Sequence, residues 1–344
     1  MAVLSPASGS HRFKRHLPGG ISTPPPPPKN RRVGAADECW DISDDRWLRS
    51  VLAGDLAASS SRGTTTPSTS SITTPAGRGF KLDVGASYRP KKGRNPLGED
   101  AHFISDAGNA FGVADGVGSW TRRGIDAGEF ARQLMSACKA QIKELSHCGI
   151  TGSLLQGVLK SALAGTTARG TSTACVGAVD GPFLRVLSIG DSGFMVLRGG
   201  AVAYHSPPQH KGFNFPYQIG RVDPAYPLAC AKSFTVQLAP GDVVVAATDG
   251  LFDNLFDEDI AALVTRMRAE RPRRTADEMA RALAAAAVTA YTRSEDTPFA
   301  AASRAAGLLP GTGGKPDDVT AVVVTVCSSN FPAHLPLPQR ASSS

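Results

Sequence analysis

Acidic residues at the ends of apolar, strand-like segments are the residues of this 344-residue chain whose types and spacing could do chemistry. The four acidic clusters are Glu99-Asp100, Asp115-Gly116, Asp249-Gly250 and Asp317-Asp318. Ionised carboxylates beside an apolar core are costly to desolvate unless they are paired or bind a metal. No cluster is accompanied by an Arg or Lys on the same predicted strand. The sequence therefore predicts that the clusters share a divalent cation site.

The two Asp-Gly pairs have a simpler alternative, because Asp-Gly is a common turn signal. The segments before them favour the cation site, since residues 110–114 and 243–248 are largely apolar runs typical of buried central strands. The fourth cluster reverses this order, because Asp317 and Asp318 lead into the apolar run 319–326. Antiparallel neighbours would bring this start beside the ends of the other two strands.

Oxygen ligands select hard cations, so Mg²⁺ or Mn²⁺ is the expected occupant. The six cysteines and seven histidines form no pairing at zinc-ligand spacing. With one carboxylate bridging two ions about 3.5–4 Å apart, a shared water becomes a hydroxide near neutral pH and can attack phosphorus. Phosphoester hydrolysis is therefore the leading chemistry.

These residues resemble the metal-dependent Ser/Thr protein phosphatases of type 2C, the PPM family, over residues 80–326. The motifs, in the family's order, are 98–101 (GEDA), 112–118 (GVADGVG), 170–174 (GTSTA), 189–193 (IGDSG), 247–254 (ATDGLFDN) and 314–320 (GKPDDVT). Segments 111–120 and 209–218 are similar to the family's short organellar branch, with its mitochondrial and chloroplast members. The resemblance implies an α+β fold, a four-layer α-β-β-α sandwich of two antiparallel sheets flanked by helices.

The resemblance also implies roles for individual residues. Asp115 matches the carboxylate that bridges two ions, and Gly116 matches the residue whose main-chain carbonyl binds one of them. Asp249 and Asp317 match the carboxylates of the second ion, and Asp115 and Asp249 are the expected catalytic residues. Asp318 stands where most of the family has Asn, so it is not the expected ligand.

Three further acids have implied roles around this pair of ions. Glu99 and Asp100 match acids that hold metal-bound waters by hydrogen bonds. Asp191 matches a residue that helps some members to hold a weak third ion. Gly-Asp-Ser at this position is just as readily a turn after the strand 183–189.

The chain departs from the family pattern at two positions. Many members place an Arg four residues before the Glu of the first motif to bind phosphate, but this chain has Asn95 there, with Arg94 one residue away as the candidate phosphate ligand. Where other members have His after the bridging Asp-Gly, this chain has Val117. General acid catalysis is worth about 10²–10⁴-fold, so the second departure bears on rate more than on reaction class.

The coarse pattern of elements predicts mostly antiparallel β-structure with several helices. Predicted strands cover 101–105, 171–179, 183–189, 194–198, 234–238, 243–248 and 319–326. Predicted helices cover 127–145, 153–164, 258–268 and 276–291.

The N-terminal segment differs in composition from the rest of the chain. Residues 1–36 contain six basic residues, no acidic ones and a run of five prolines, which predicts an organellar transit peptide, with a disordered linker as the alternative. Residues 37–79 are expected to be a flexible linker, 80–328 the phosphatase domain and 329–344 a disordered tail. The Ser, Thr and Pro content favours the chloroplast over the mitochondrion, with cytoplasm or nucleus as the further alternative.

Charge and hydropathy limit the expected partners. Six of the 37 Lys and Arg residues lie in the leader. Residues 37–344 therefore contain 31 basic and 30 acidic residues, and their net charge is close to zero. This balance argues against a nucleic-acid surface. No segment reaches the ~18 apolar residues of a membrane span. We expect a monomer that acts on phosphoproteins. Two other classes stay open, an inactive scaffold that binds phosphoproteins and a two-metal nuclease or small-molecule phosphohydrolase.

Overall fold

Two five-stranded antiparallel sheets form the centre of the computed structural model. The structure describes residues 80–91, 97–144, 151–221, 226–271, 274–308 and 312–328, all within the unit Pro67–Ser344. The predicted leader, linker and C-terminal tail lie outside the described residues, and so does Arg94.

Strands and helices come in consecutive groups along the chain. The strands are β1 (Lys81–Arg89), β2 (Asp100–Ile104), β3 (Ala110–Asp115), β4 (Thr171–Ser172), β5 (Ala174–Asp180), β6 (Phe183–Ile189), β7 (Gly193–Arg198), β8 (Ala201–His205), β9 (His210–Gly212), β10 (Phe215–Pro216), β11 (Ile219–Gly220), β12 (Lys232–Gln237), β13 (Val243–Ala247) and β14 (Val319–Cys327). The helices are α1 (Ala127–Glu144), α2 (Gly152–Gly165), α3 (Asp249–Phe252), α4 (Asp257–Glu270), α5 (Ala276–Tyr291) and α6 (Pro298–Ala305). Short 3-10 helices cover Gly118–Arg123 and Leu228–Cys230.

The sheets pack face to face, and helices cover their outer faces. The first sheet has the order β1-β14-β13-β7-β8, and the second has the order β12-β6-β5-β3-β2. Phe111 and Val113 of the second sheet and Phe194 and Val322 of the first meet in the core between them. Helices α1 and α2 pack on the second sheet, and α4 and α5 on the first. The predicted four-layer sandwich is confirmed.

This layering explains why β13 and β14 are continuous apolar runs. Successive side chains of a strand point to opposite faces. In β13, Val244 and Ala246 face the core between the sheets, whereas Val243, Val245 and Ala247 face the helix layer. Because both faces are buried, every residue of the strand is apolar, as the sequence predicts for a central strand.

The most regular predicted elements are confirmed closely. The predicted helix 276–291 and strand 183–189 have the observed bounds. A capping box between Thr275 and Glu278 starts α5. Strand β1 is absent from the prediction because Gly85 interrupts its pattern. The structure requires glycine there, since a Cβ would collide with the backbone of Asp277 at the start of α5.

Candidate metal centre

The strand register brings the four acidic clusters to one edge of the sandwich. Asp100 opens β2 and lies opposite Asp115, the last residue of β3. In the other sheet, the end of β13 pairs with the start of β14, and Asp249 begins α3 directly afterwards. The predicted meeting of the start of β14 with the end of β13 is confirmed. The structure corrects one detail, because β3 lies in the opposite sheet and is not paired with β14.

Both Asp-Gly pairs lie where two backbone segments nearly touch. A Cβ at Gly116 would lie far inside contact with the carbonyl oxygen of Ala127, and one at Gly250 would overlap the carbonyl oxygen of Asp318. The nitrogen of Gly116 also donates to the carbonyl oxygen of Glu99 at 3.0 Å. These glycines therefore permit close packing of the acidic segments, beyond what a simple turn would need.

Asp100 is buried and held through one carboxylate oxygen. The hydroxyls of Thr248 and Thr320 donate to its Oδ2 at 2.8 and 2.7 Å. Its Oδ1 is buried and has no hydrogen-bond partner. Burial, with the neighbouring charge of Asp318, raises the pKa of Asp100 well above its ordinary value.

Asp115 and Asp249 are destabilised as anions by burial and by neighbouring carboxylates. Desolvation is the largest cause that raises the pKa of Asp115, followed by the charge of Asp249. Desolvation also raises the pKa of Asp249 well above its ordinary value, against the opposing charge of Lys315. Oδ1 of Asp249 is buried without a partner, and so is Oδ1 of Asp191. These carboxylates lack enough positive charge within the protein.

Two lysines lie among the acids, and neither of them lies within a strand. The Lys315 ammonium contacts Asp249, lies 3.1 Å from Asp253 Oδ2 and 3.3 Å from Asp317 Oδ2. The Lys91 ammonium lies 3.1 Å from Glu99 Oε2 and 2.9 Å from Asp317 Oδ1. Sequence adjacency reveals only the contact of Lys315 with Asp317, because the contacts of Lys315 with Asp249 and of Lys91 with Asp317 span 66 and 226 residues.

The residues fit divalent cations by charge and donor type. Eight acidic side chains belong to the cluster that contains the two lysines: Glu99, Asp100, Asp115, Asp191, Asp249, Asp253, Asp317 and Asp318. Oxygen donors and a large negative charge suit Mg²⁺ or Mn²⁺. Within the described ranges, no three His, Cys, Asp or Glu side chains already form a metal-binding group. Lys315 occupies the space between Asp249 and Asp317, so a cation shared by these two aspartates requires the ammonium to withdraw.

Asp318 is fully used by the protein itself. Its Oδ1 accepts from the Lys91 nitrogen at 2.6 Å, and its Oδ2 accepts from the Glu99 nitrogen and from the Tyr88 hydroxyl. The main-chain nitrogen of Asp100 donates a longer hydrogen bond to the same Oδ2, at 3.2 Å. Asp318 thus ties the end of β1, the first acidic motif and the start of β14 together, and both its oxygens are occupied.

Sequence reasoning missed one acid of the cluster, Asp253, and one residue beside the cluster, His210. Asp253 follows Asp249 by four residues, the spacing that places two side chains on one helical face, and burial raises its pKa. His210 Nε2 lies 3.0 Å from Asp191 Oδ2, and this hydrogen bond raises the pKa of His210. The i, i+4 spacing could have revealed Asp253. No spacing signal exists for His210, because the hairpin of β9 and β10 carries it to the site.

The chain is similar in sequence to known protein phosphatases. The family model "Stage II sporulation protein E (SpoIIE)" matches residues 105–326. A "Probable protein phosphatase 2C 80" of Arabidopsis thaliana is 41% identical over 260 residues, covering 75% of this chain and 61% of the relative. A "Protein phosphatase PTC7 homolog fig" of Drosophila virilis is 37% identical, covering 68% of this chain and 80% of the relative.

A solved structure agrees with these relatives. The X-ray structure of the photosystem II phosphatase PBCP is 31% identical, with a TM-score of 0.63, and the match covers 72% of this chain and 99% of that one. Fold and sequence similarity together define a sandwich of the protein phosphatase 2C class. This chain belongs to the protein phosphatase 2C family. It spans 61% and 53% of the length of two Arabidopsis relatives.

Proposed function

We propose that this protein hydrolyses phosphoserine and phosphothreonine in proteins with two Mg²⁺ or Mn²⁺ ions. The observation that carries the proposal is the cluster of eight acids, in which Asp100, Asp191 and Asp249 each keep a buried oxygen without a partner. Family membership supports the reaction class. Retention of every expected carboxylate favours an enzyme over an inactive phosphoprotein-binding scaffold.

We assign Asp115, Gly116, Asp249 and Asp317 as the metal ligands, with Asp191 as an accessory to a third ion. When bound, the two ions would supply positive charge to the phosphoryl oxygens and lower the pKa of the attacking water. Asp115 and Asp249 would carry the largest share of catalysis, because both belong to the ligand set.

The neighbouring side chains orient this set. Asp100 is held through Oδ2 by Thr248 and Thr320, so its Oδ1 is left to accept a hydrogen bond from water. Asp318 fixes the backbone of Glu99 and Asp100 and thereby the position of both side chains. Arg94 remains a candidate phosphate ligand from the sequence.

Hydrolysis of a phosphothreonine peptide in EDTA, Mg²⁺ or Mn²⁺ tests the proposal. We expect turnover that is lost in EDTA and restored by either ion, with no hydrolysis of DNA or nucleotides. A folded protein that binds the phosphopeptide without turnover under any ion would support the scaffold instead. Hydrolysis of DNA or nucleotides in preference to the peptide would support the other two-metal class.

The remaining proposals concern the whole chain. We infer a chloroplast protein with a transit peptide at 1–36, a linker at 37–79, a phosphatase domain at 80–328 and a disordered tail at 329–344. The similar structure of PBCP is that of a photosystem II phosphatase, and this supports an organellar location. We infer a monomer that takes phosphoproteins as substrates and does not bind nucleic acid. No helix in the described part of the chain is long and apolar enough to cross a membrane. Import of a fusion of residues 1–79 into isolated chloroplasts, with mitochondria as the comparison, tests the location.

A further inference from the structure

The two lysines of the carboxylate cluster differ in what they leave available. Lys315 has a side chain that is 16% exposed and contacts three carboxylates. An ammonium group has three N–H donors, so these contacts account for all of them. Lys315 is therefore an internal counter-ion of the acids.

Lys91 lies at the mouth of the same cluster. Its side chain is 39% exposed and contacts two carboxylates, those of Glu99 and Asp317. Two contacts leave one N–H donor of the ammonium for another partner. The main-chain nitrogen of Lys91 donates to Asp318 Oδ1 at 2.6 Å, so the backbone that carries the side chain is anchored to the start of β14.

Lys91 stays positively charged in this position. Its ammonium lies 3.1 Å from Glu99 Oε2 and 2.9 Å from Asp317 Oδ1, and these two carboxylates favour the charged form. A lysine ammonium is a compact point charge with rotatable donors, which suits phosphate. Its partner Asp317 is an assigned metal ligand, so a phosphoryl group bound beside the metals would come within reach of Lys91.

We propose that Lys91 binds the phosphoryl group of the substrate and of the phosphate product, from the exposed side of the carboxylate cluster. This inference rests on the proposed phosphatase function. The alternative is a merely structural ion pair, which at this exposure contributes little to stability. The two roles predict different changes in affinity. Removing a cation that binds phosphate lowers the affinity for phosphate and raises the affinity for a metal ion. Losing a structural ion pair leaves the phosphate affinity unchanged or lowers both affinities together.

The test compares Lys91→Met with Lys139→Met in the full chain. Lys139 is a matched control, because its side chain is similarly exposed, at 42%, and also forms an ion pair. Its ammonium lies 2.9 Å from the carboxylate of Asp106, which is not part of the carboxylate cluster. Three quantities are measured: kcat and KM for a phosphothreonine peptide, the inhibition constant of inorganic phosphate, and the affinity for Mn²⁺ by calorimetry without substrate.

For Lys91→Met we expect KM and the phosphate inhibition constant to rise about tenfold or more, the scale of a lost hydrogen bond to a charged group. Mn²⁺ affinity should rise severalfold, Lys91→Arg should restore most of the phosphate affinity, and Lys139→Met should match the wild type. Unchanged phosphate constants, or parallel losses of phosphate and Mn²⁺ affinity, would overturn the inference. If the wild type hydrolyses no phosphopeptide, the proposed function fails, and calorimetric titration of phosphate into the Mn²⁺-loaded protein still decides the role of Lys91.

Discussion

The two ends of strand β13 each carry a buried aspartate, and the protein treats them in opposite ways. At the start, the side chain of Asp242 is 1% exposed. It accepts hydrogen bonds from Arg198 Nε at 2.9 Å and from Arg198 Nη2 at 2.7 Å. The Ala239 nitrogen donates to it at 2.8 Å. At the other end, Asp249 has one lysine contact, several acidic neighbours and a buried Oδ1 without a partner.

The difference separates a structural aspartate from a functional one. Asp242 is compensated by a two-pronged guanidinium and a backbone donor, so nothing further is needed there. Asp249 is left undercompensated among like charges, an arrangement that persists only where it serves a ligand or a reaction. Burial and residue type are the same at both ends, so the partners decide the role.

The largest expected effect falls on catalysis at the undercompensated end. Asp115→Asn and Asp249→Asn should each lower kcat on a phosphothreonine peptide by about 10²–10³-fold or more, because each removes an assigned metal ligand. Steady-state kinetics in saturating Mn²⁺ measure this. Asp242→Asn, the matched change at the other end, should keep kcat within about threefold of the wild type after correction for folded protein. Equal losses of kcat for Asp242→Asn and Asp249→Asn would remove the distinction.

Stability should respond in the reverse order. Asp242→Asn should lower the free energy of unfolding by about 1–3 kcal/mol, because it leaves Arg198 without its charge partner, and the 48% exposure of that side chain limits the cost. Asp249→Asn should change the metal-free protein by less than about 1 kcal/mol, since repulsion among the acids is relieved as the Lys315 contact weakens. Urea unfolding with EDTA measures both. A larger loss for Asp249→Asn would contradict the comparison.

The pH dependence of stability should reveal the raised carboxyl pKa values. In the metal-free protein the folded state holds protons on Asp100, Asp115 and Asp249 more tightly than the unfolded state does. The free energy of unfolding should therefore fall as pH rises from the ordinary carboxyl value near 3.8 through the raised values. Bound Mn²⁺ should reverse this slope, because it requires the ionised acids.

Thermal unfolding between about pH 5 and pH 8, with EDTA or with Mn²⁺, measures both slopes of stability against pH. Asp249→Asn should flatten the metal-free slope. Identical slopes with and without Mn²⁺ would show that the acids are compensated within the protein.

Removing the internal counter-ion should have a moderate effect. Lys315→Met should raise Mn²⁺ affinity severalfold, because a divalent ion no longer competes with the ammonium for Asp249 and Asp317. It should also lower the stability of the metal-free protein, because the acids lose their internal counter-ion. Calorimetric Mn²⁺ titration and thermal unfolding in EDTA measure the two changes. A weaker Mn²⁺ affinity would instead make Lys315 a support for the metal site.

The smallest expected effect concerns one hydroxyl on β14. Thr320→Val removes a 2.7 Å hydrogen bond to Asp100, which raises the pKa of Asp100 further and should move the acid limb of the pH–rate profile to higher pH, with activity lower by about 3–10-fold at neutral pH. Thr325→Val is the control on the same strand, since the Thr325 hydroxyl is buried without a partner. It should leave the profile unchanged, and a shift in both variants would indicate a general effect of β14.

Much of the molecule follows from local pattern. The largely apolar runs 243–248 and 319–326 predict central strands because a strand buried on both faces is mostly apolar. The acids at their ends predict a cation site because unpaired charge beside a core is costly. The amphipathic segment 276–291 predicts α5 with its observed bounds. The sequence pattern does not predict strand β1, because Gly85 weakens the pattern. The glycine is required there by the close approach of α5.

The residue types and their order along the chain were enough to indicate the family, the sandwich and the acids that converge. The partners of those acids came only from the tertiary structure: Lys315 between Asp249 and Asp317, Lys91 at the mouth, and His210 beside Asp191. The physical reason is the range of the forces involved. Secondary structure depends on spacing within a few residues, whereas charge compensation depends on distances in space between segments far apart in sequence.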